Sequence, residues 1–131
     1  MKIAPSVLTV DFTKLDEELK SIESADYLHL DIMDGHFVPN ISFGPAITKQ
    51  IGMATDLPLD IHLMVSDPLK WIDQFAIKNT EFMTVHVEAN DVSEAIDKIK
   101  THHIGVGFSI KPHTLVSDLL PYNEQEKLIL V

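Results

Sequence analysis

Two short stretches of the sequence pair a histidine with a carboxylate two residues apart. His29 precedes Asp31 in one apolar run, and Asp60 precedes His62 in another. Successive side chains of a β-strand point to opposite faces, so each pair would share one face of its strand while leucine and isoleucine side chains share the other. Imidazole nitrogens and carboxylate oxygens are good ligands for divalent cations. The spacing therefore predicts two strands that converge on one metal site.

Composition limits how such a site can be built and what it can bind. The chain has no cysteine, so any metal ion must be held by histidine and carboxylate. A formal charge of −10 argues against a nucleic-acid partner, although a small anion could still be bound by local donors. The start of the chain is not a signal peptide, and no apolar run approaches the roughly 20 residues of a membrane helix. We therefore expect a soluble cytoplasmic protein, with residues 1–131 forming one domain.

Short apolar runs alternate with amphipathic stretches along the chain. Helix starts are predicted at Thr13 as an N-cap, at Gly44-Pro45, at Asp67-Pro68, and at Asn90 or Asp91. A short helical stretch from about residue 115 to 120 is expected to precede a turn at residues 121–123. Strands are expected at residues 3–8, 27–33, 57–65, 82–88, 104–110 and 127–131.

The spacing of these elements predicts an α/β fold. Successive strands begin roughly 20 to 30 residues apart, the period of a strand–helix unit, so a parallel sheet with helical crossovers is expected. A (β/α)8 barrel needs about 250 residues, so the chain would supply the first five units and the start of a sixth strand. An open doubly wound sheet of five or six strands is the alternative. Because the sequence stops within an apolar strand, we expect the N-terminal part of a barrel.

Several motifs closely resemble the ribulose-phosphate 3-epimerase family over essentially the whole chain. The longest is Leu-His-Leu-Asp-Ile-Met-Asp-Gly-His-Phe-Val-Pro-Asn at residues 28–40; the others lie at residues 4–8, 42–45, 60–64 and 86–89. The resemblance implies a (β/α)8 TIM barrel with one divalent metal ion at its mouth. It also implies an isomerase of the pentose phosphate pathway that interconverts D-ribulose 5-phosphate and D-xylulose 5-phosphate.

The resemblance further implies roles for individual residues. His29, Asp31 and His62 would bind the metal ion, and Asp31 would also be catalytic, accepting a proton on one face of the substrate. Removing a carbon-bound proton beside a ketone produces an enediolate, whose charge a Lewis acid stabilises, and a second acid/base group must act on the opposite face. Substrate-binding roles are implied for Ser6, His62, Met33 and Met64.

Three polar residues near these motifs have less defined roles. Asp60 could orient His62, with which it shares a face, or could simply belong to a polar layer of the barrel. His86 and Glu88 form another alternating pair at a strand end. The resemblance gives them no ligand role, so we expect them to be structural or to support the ligands.

The family resemblance places further active-site groups on later strands. A second catalytic aspartate, also the fourth metal ligand, is implied on a seventh strand, and phosphate-binding loops are implied after strands six to eight. We therefore expect the 131-residue polypeptide to have no appreciable epimerase activity. Zinc, iron(II), manganese and cobalt suit the ligands equally well. The family is typically homo-oligomeric, with a small sugar phosphate as substrate.

Two other functions are compatible with the same residues. One is a related sugar-phosphate 3-epimerase, for example one that acts on allulose 6-phosphate. The other is a non-catalytic half-barrel that assembles through an exposed strand edge.

Overall fold

A computed structural model describes residues 1–122 and 128–130 of the chain. Its sheet contains five parallel strands that pair in the order β1-β2-β3-β4-β5. A doubly wound sheet reverses its strand order at a switch point, whereas the strands of a barrel follow one another in sequence. The predicted α/β fold of the TIM-barrel family is therefore confirmed. The strands are β1 (Leu28–Met33), β2 (Leu59–Met64), β3 (Thr80–His86), β4 (Gly105–Ser109) and β5 (Leu128–Leu130).

Helices and 3-10 turns connect the strands. The α-helices are α1 (Leu15–Ser21), α2 (Pro45–Ala54), α3 (Ile72–Phe75) and α4 (Val92–Thr101). Shorter 3-10 segments cover Val7–Thr9, Phe12–Lys14, Pro68–Lys70 and Val116–Tyr122. In the part of the chain that the structure describes, no helix has the length and apolar character needed to cross a membrane.

The hydrophobic core lies between the sheet and the helices. On β1 the buried leucine and isoleucine side chains alternate with less buried polar ones, as a strand with one apolar face requires. The apolar side chains of β1 to β4 join one cluster with those of α2, α3 and α4, which include Ile51, Phe75, Ile96 and Ile99. The helices thus cover one face of the sheet, and the histidines and carboxylates occupy the other.

The predicted first strand at residues 3–8 is wrong. The structure reduces it to a single parallel bridge between Ser6 and His29, in which the His29 N–H donates to the Pro5 carbonyl at 2.9 Å. Proline has no N–H for a ladder. The Ser6 hydroxyl then accepts a hydrogen bond from the Leu8 N–H at 3.2 Å and turns the chain into the 3-10 segment Val7–Thr9. Only a short extended segment therefore lies beside β1.

One of the predicted helix starts is shifted in the structure, and the others lie close to the predicted positions. Thr13 is not the first N-cap, because Asp11 accepts the Thr13 N–H at 2.9 Å and caps Phe12–Lys14 before α1 begins. Gly44-Pro45 does begin α2. Pro68 begins a 3-10 segment, and Asp91 precedes α4.

The C-terminal helical stretch forms a 3-10 segment. The predicted helical stretch near residues 115–120 is the 3-10 segment Val116–Tyr122, which also contains most of the predicted turn. Asn123, Lys127 and Val131 lie outside the described residues.

Candidate metal centre

The register of β1 and β2 brings the two histidine–carboxylate pairs together. Asp31 lies beside His62, and His29 lies beside Asp60. Asp31 Oδ1 is 3.2 Å from both His29 Nε2 and His62 Nδ1. One ligand atom from each of His29, Asp31 and His62 lies within 4.8 Å of the other two. The predicted ligands therefore converge at one point on the polar face of the sheet.

Asp31 is held as an anion by its neighbours. Its second oxygen, Oδ2, accepts a hydrogen bond from the Ser6 hydroxyl at 2.7 Å. Burial alone would raise the pKa of Asp31, but hydrogen bonds with His29, His62 and Ser6 outweigh burial and hold the pKa well below its usual range. The carboxylate is thus in the charge state required of a metal ligand or a general base.

Asp60 serves His29 and not His62. His29 Nδ1 lies 2.8 Å from Asp60 Oδ2, so the ring lies between two carboxylates. Burial alone would lower the pKa of His29, but the hydrogen bonds with Asp31 and Asp60 outweigh it and raise the pKa to about 9. The suggestion that Asp60 orients His62 is therefore corrected, because strand register places Asp60 beside the other histidine.

His62 is linked through a second imidazole to Glu88. His62 Nε2 lies 2.9 Å from His86 Nε2, and the two rings stack with centroids 5.0 Å apart. On its other side, His86 Nδ1 lies 3.3 Å from Glu88 Oε2. Glu88 Oε1 accepts hydrogen bonds from the Lys111 N–H, at 2.7 Å, and from the Thr114 hydroxyl. Burial and the neighbouring His62 lower the pKa of His86 to about 4, so this ring is neutral.

The sequence predicted His86 and Glu88 to be structural or to support the ligands, but it did not predict which ligand they contact. The available signal was the position of His86 as the last residue of β3, on the same side of the sheet as the ligands. Only the packing of β3 beside β2 brings the two rings into contact.

The predicted substrate-binding residues do not all face one space. A cavity of about 450 Å³ is lined by His29, Asp31, His62 and Met64. Met33 lies beside Met64 in register but lines a separate pocket of about 310 Å³ with Trp71 and Phe75. Ser6 reaches the site through its hydrogen bond to Asp31. The cavity also includes His86, and side chains from the loops after β1 and β4: Phe37, Val38, Ile110, Lys111 and Pro112.

The donor set fits a divalent cation. It combines two imidazoles with one carboxylate, a mixture that suits several transition metals. Each imidazole also has a partner on the nitrogen that does not face Asp31: Asp60 for His29, and His86 for His62. Such partners orient metal-binding histidines in proteins.

Comparison with known proteins gives a consistent match along the chain. Residues 2–131 match the model of the Ribulose-phosphate 3 epimerase family. The ribulose-phosphate 3-epimerase of Bacillus subtilis (strain 168) is 44% identical over 119 residues, which cover 88% of this chain and 55% of that protein. The protein of the same name from Helicobacter pylori (strain J99) is 36% identical over 132 residues, covering 100% of this chain and 61% of that protein. The one from Mycobacterium leprae is 41% identical over 125 residues, covering 92% of this chain and 55% of that protein. The chain spans a little over half the length of these relatives.

Proposed function

Since the chain belongs to the ribulose-phosphate 3-epimerase family, we propose that it carries part of the active site of an isomerase that interconverts D-ribulose 5-phosphate and D-xylulose 5-phosphate. The names of the relatives support this reaction. The structural observation that supports it most directly is the convergence of His29, Asp31 and His62 on the polar face of the sheet.

Asp31 is the proposed general base. Epimerisation beside a ketone begins with removal of a proton from carbon, and an ionised carboxylate can accept that proton. Three hydrogen-bonding neighbours keep Asp31 ionised, and the residue lines the cavity that would receive the substrate. His29, Asp31 and His62 would hold a zinc, iron(II), manganese or cobalt ion, which when bound stabilises negative charge on the substrate oxygens.

His62 and Met64 are the proposed substrate contacts within the cavity. Met64 offers an apolar, polarisable surface that neither donates nor accepts protons in the reaction. Ser6 and Met33 complete the proposed set. Ser6 lies against the Asp31 carboxylate, and Met33 lies beside Met64 at the end of β1.

Asp31 is one of the two acid/base groups that the reaction needs. Two other carboxylates near it are engaged elsewhere: Asp60 with His29, and Glu88 with the Lys111 N–H and the Thr114 hydroxyl. We therefore propose that the 131-residue polypeptide by itself has no appreciable epimerase activity. Robust turnover of ribulose 5-phosphate by this polypeptide would contradict that proposal.

Proton abstraction alone can be tested without turnover. In D2O, the polypeptide with Zn²⁺ is expected to exchange the C3 proton of ribulose 5-phosphate for deuterium, which NMR detects as loss of the C3–H signal. Asp31→Asn should abolish the exchange because an amide cannot act as the base. Equal exchange by the parent chain and Asp31→Asn would overturn the role of Asp31, and no exchange by the parent chain would overturn the proposed chemistry.

The metal site has its own test. We expect His29→Ala and His62→Ala each to weaken Zn²⁺ binding by at least 10-fold in isothermal titration calorimetry, because each removes a ligand. His113→Ala is the matched control, since this histidine is exposed on a loop. Unchanged binding in both ligand variants would overturn the site.

The proposed partners are a small sugar phosphate and other copies of the chain. The net charge of −10 would repel the backbone of a nucleic acid. Sedimentation velocity tests self-association, and a monomer at all concentrations would contradict it.

A further inference from the structure

We propose that His86 and Glu88 are positioning residues that set the tautomer of His62, leaving the nitrogen that faces Asp31 free to bind a cation. The inference rests on the proposed metal site. It concerns the contacts between His62, His86 and Glu88, which extend away from Asp31.

The contact between the two imidazoles couples their protons. His62 Nε2 and His86 Nε2 are 2.9 Å apart, so one of the two nitrogens must carry a proton and donate a hydrogen bond to the other. In a neutral ring, a proton on one nitrogen leaves the other nitrogen as an acceptor. The choice of donor in this contact therefore determines which outer nitrogen of each ring carries a proton.

Without a cation, the contacts favour hydrogen bonds that run from His86 to His62 and from His62 to Asp31. Asp31 Oδ1 can only accept, so His62 donates from Nδ1 across 3.2 Å. A neutral His62 then accepts at Nε2, His86 donates from Nε2, and His86 Nδ1 is left as an acceptor facing Glu88 Oε2 at 3.3 Å. Two acceptors would face each other. His86 Nδ1 and Glu88 Oε2 are both buried, and neither has another hydrogen-bond partner among the described residues.

When His62 Nδ1 serves as a metal ligand, the hydrogen bond between His62 and His86 reverses its direction. His62 then carries its proton on Nε2, and this N–H donates a hydrogen bond to His86 Nε2. His86 therefore carries its own proton on Nδ1, which faces Glu88 Oε2. Each ring has one proton in both arrangements; the proton lost from His62 Nδ1 goes to solvent, and His86 Nδ1 takes one up. In the ligand arrangement, His86 Nδ1 is a donor that faces the acceptor Glu88 Oε2, so the buried pair no longer consists of two acceptors.

The surroundings favour this link because water has little access to it. His62 and His86 are each 6% exposed, so solvent is a poor substitute partner. Glu88 cannot easily turn away, because its Oε1 accepts from the Lys111 N–H and the Thr114 hydroxyl. His29 is supported by a carboxylate without an intervening imidazole, because Asp60 contacts its Nδ1 directly.

Glu88→Gln tests the inference with almost no change in shape. The amide oxygen can keep the two bonds that Glu88 Oε1 accepts, which places the amide NH2 against His86 Nδ1. His86 must then accept there and carry its proton on Nε2, so His62 keeps its proton on Nδ1, the ligand atom. We expect Zn²⁺ affinity to fall about 10- to 100-fold, the range found for lost partners of metal ligands. Glu94→Gln removes the same charge at an exposed position of α4 and should leave the Zn²⁺ affinity unchanged.

Nitrogen-15 NMR of the histidine rings gives a readout that requires no variant. In the Zn²⁺-loaded parent chain, we expect the proton of His62 on Nε2 and that of His86 on Nδ1. A His86 proton on Nε2 in that state would overturn the inference, even if Glu88→Gln failed to fold.

The outcomes separate this inference from the metal site itself. Zn²⁺ binding that depends on His29 but is unchanged by Glu88→Gln would overturn the role of Glu88 and leave the site intact. No Zn²⁺ binding by the parent chain would overturn both.

Discussion

The carboxylate of Asp31 collects hydrogen bonds from three separate parts of the chain. Ser6 contacts one oxygen, and His29 and His62 contact the other. A buried carboxylate is costly unless such partners compensate for lost hydration. The same contacts that compensate for the lost hydration of Asp31 also bring the proposed ligands together around it.

Replacing Asp60 should change the protonation of His29. We expect Asp60→Asn to lower the pKa of His29 from about 9 toward the ordinary value of 6.5, because a neutral amide no longer favours the imidazolium. NMR titration of the histidine ring protons in the metal-free chain measures this shift. Asp73→Asn removes the carboxylate 2.9 Å from His102 and should leave His29 unchanged. A His29 pKa that is equal in the parent chain and Asp60→Asn would contradict the assignment.

The same shift has a consequence for stability. A pKa raised on folding stabilises the native state fully below the unfolded value of 6.5, and this contribution is lost as pH rises through about 9. Unfolding in urea should therefore become easier across this window in the metal-free parent chain. In Asp60→Asn, the loss should still begin near the unfolded value of 6.5, but it should be smaller and end at a lower pH.

At the scale of elements, the loops after β1 and β2 are joined by one side chain. Asp34 Oδ1 accepts from the N–H groups of His36 and Phe37, each at 2.8 Å, and Oδ2 accepts from the Ser66 N–H at 2.8 Å. Gly35 follows with a φ of 73°, and a Cβ there would lie 2.9 Å from Ile41 Cγ1. The loop that supplies Phe37 to the cavity is thus fixed to the next strand–loop unit.

Asp34→Asn should weaken this junction in a pH-dependent way. Burial alone would raise the pKa of Asp34, but hydrogen bonds from the N–H groups of Ser66, Phe37 and His36 outweigh it and lower the pKa. The stabilisation is therefore present above the unfolded value of 3.8 and is lost as pH falls below it. Because an amide accepts at only one atom, we expect a loss of about 1 to 2 kcal/mol at neutral pH, measured by urea unfolding.

The difference between parent and variant should shrink in acid. Asp97→Asn, on the exposed side of α4, serves as a control for the lost charge and should unfold like the parent chain. A stability difference for Asp34→Asn that persists unchanged well below pH 3.8 would contradict the role of the ionised carboxylate.

For the whole molecule, the sheet separates two environments. Its helical side is a continuous apolar core, and its opposite side carries the buried Asp60, His62, Thr84 and His86. The chain also carries ten more acidic than basic groups. A cation bound only in the native arrangement would offset local repulsion and stabilise the fold by mass action.

Zn²⁺ should therefore raise the thermal unfolding midpoint of the chain. At a free concentration about 100 times the dissociation constant, the expected gain in unfolding free energy is about 2.7 kcal/mol. Calorimetry or circular dichroism measures the shift, which His29→Ala should abolish and the exposed His113→Ala should preserve. An equal rise in His29→Ala would indicate binding elsewhere.

The order of residues along the chain was enough to predict which side chains share a face and the repeating order of strands and helices. Alternation alone puts His29 with Asp31 and Asp60 with His62, because side chains along a strand repeat every two residues. The spacing of apolar runs likewise predicted a parallel α/β sheet, since parallel neighbours require long crossovers. Both are local properties, readable over a few tens of residues.

Which carboxylate contacts which histidine became clear only from the packing of the strands. Pairing of Asp60 with His29 depends on the register between β1 and β2, and the contact of His62 with His86 depends on how β3 lies beside β2. The shortened first strand also depends on what Pro5 and Ser6 meet at the edge of β1. Alternation along one strand fixes the face that a side chain takes, but not which residue of the neighbouring strand lies beside it, so these contacts depend on how the strands pack together.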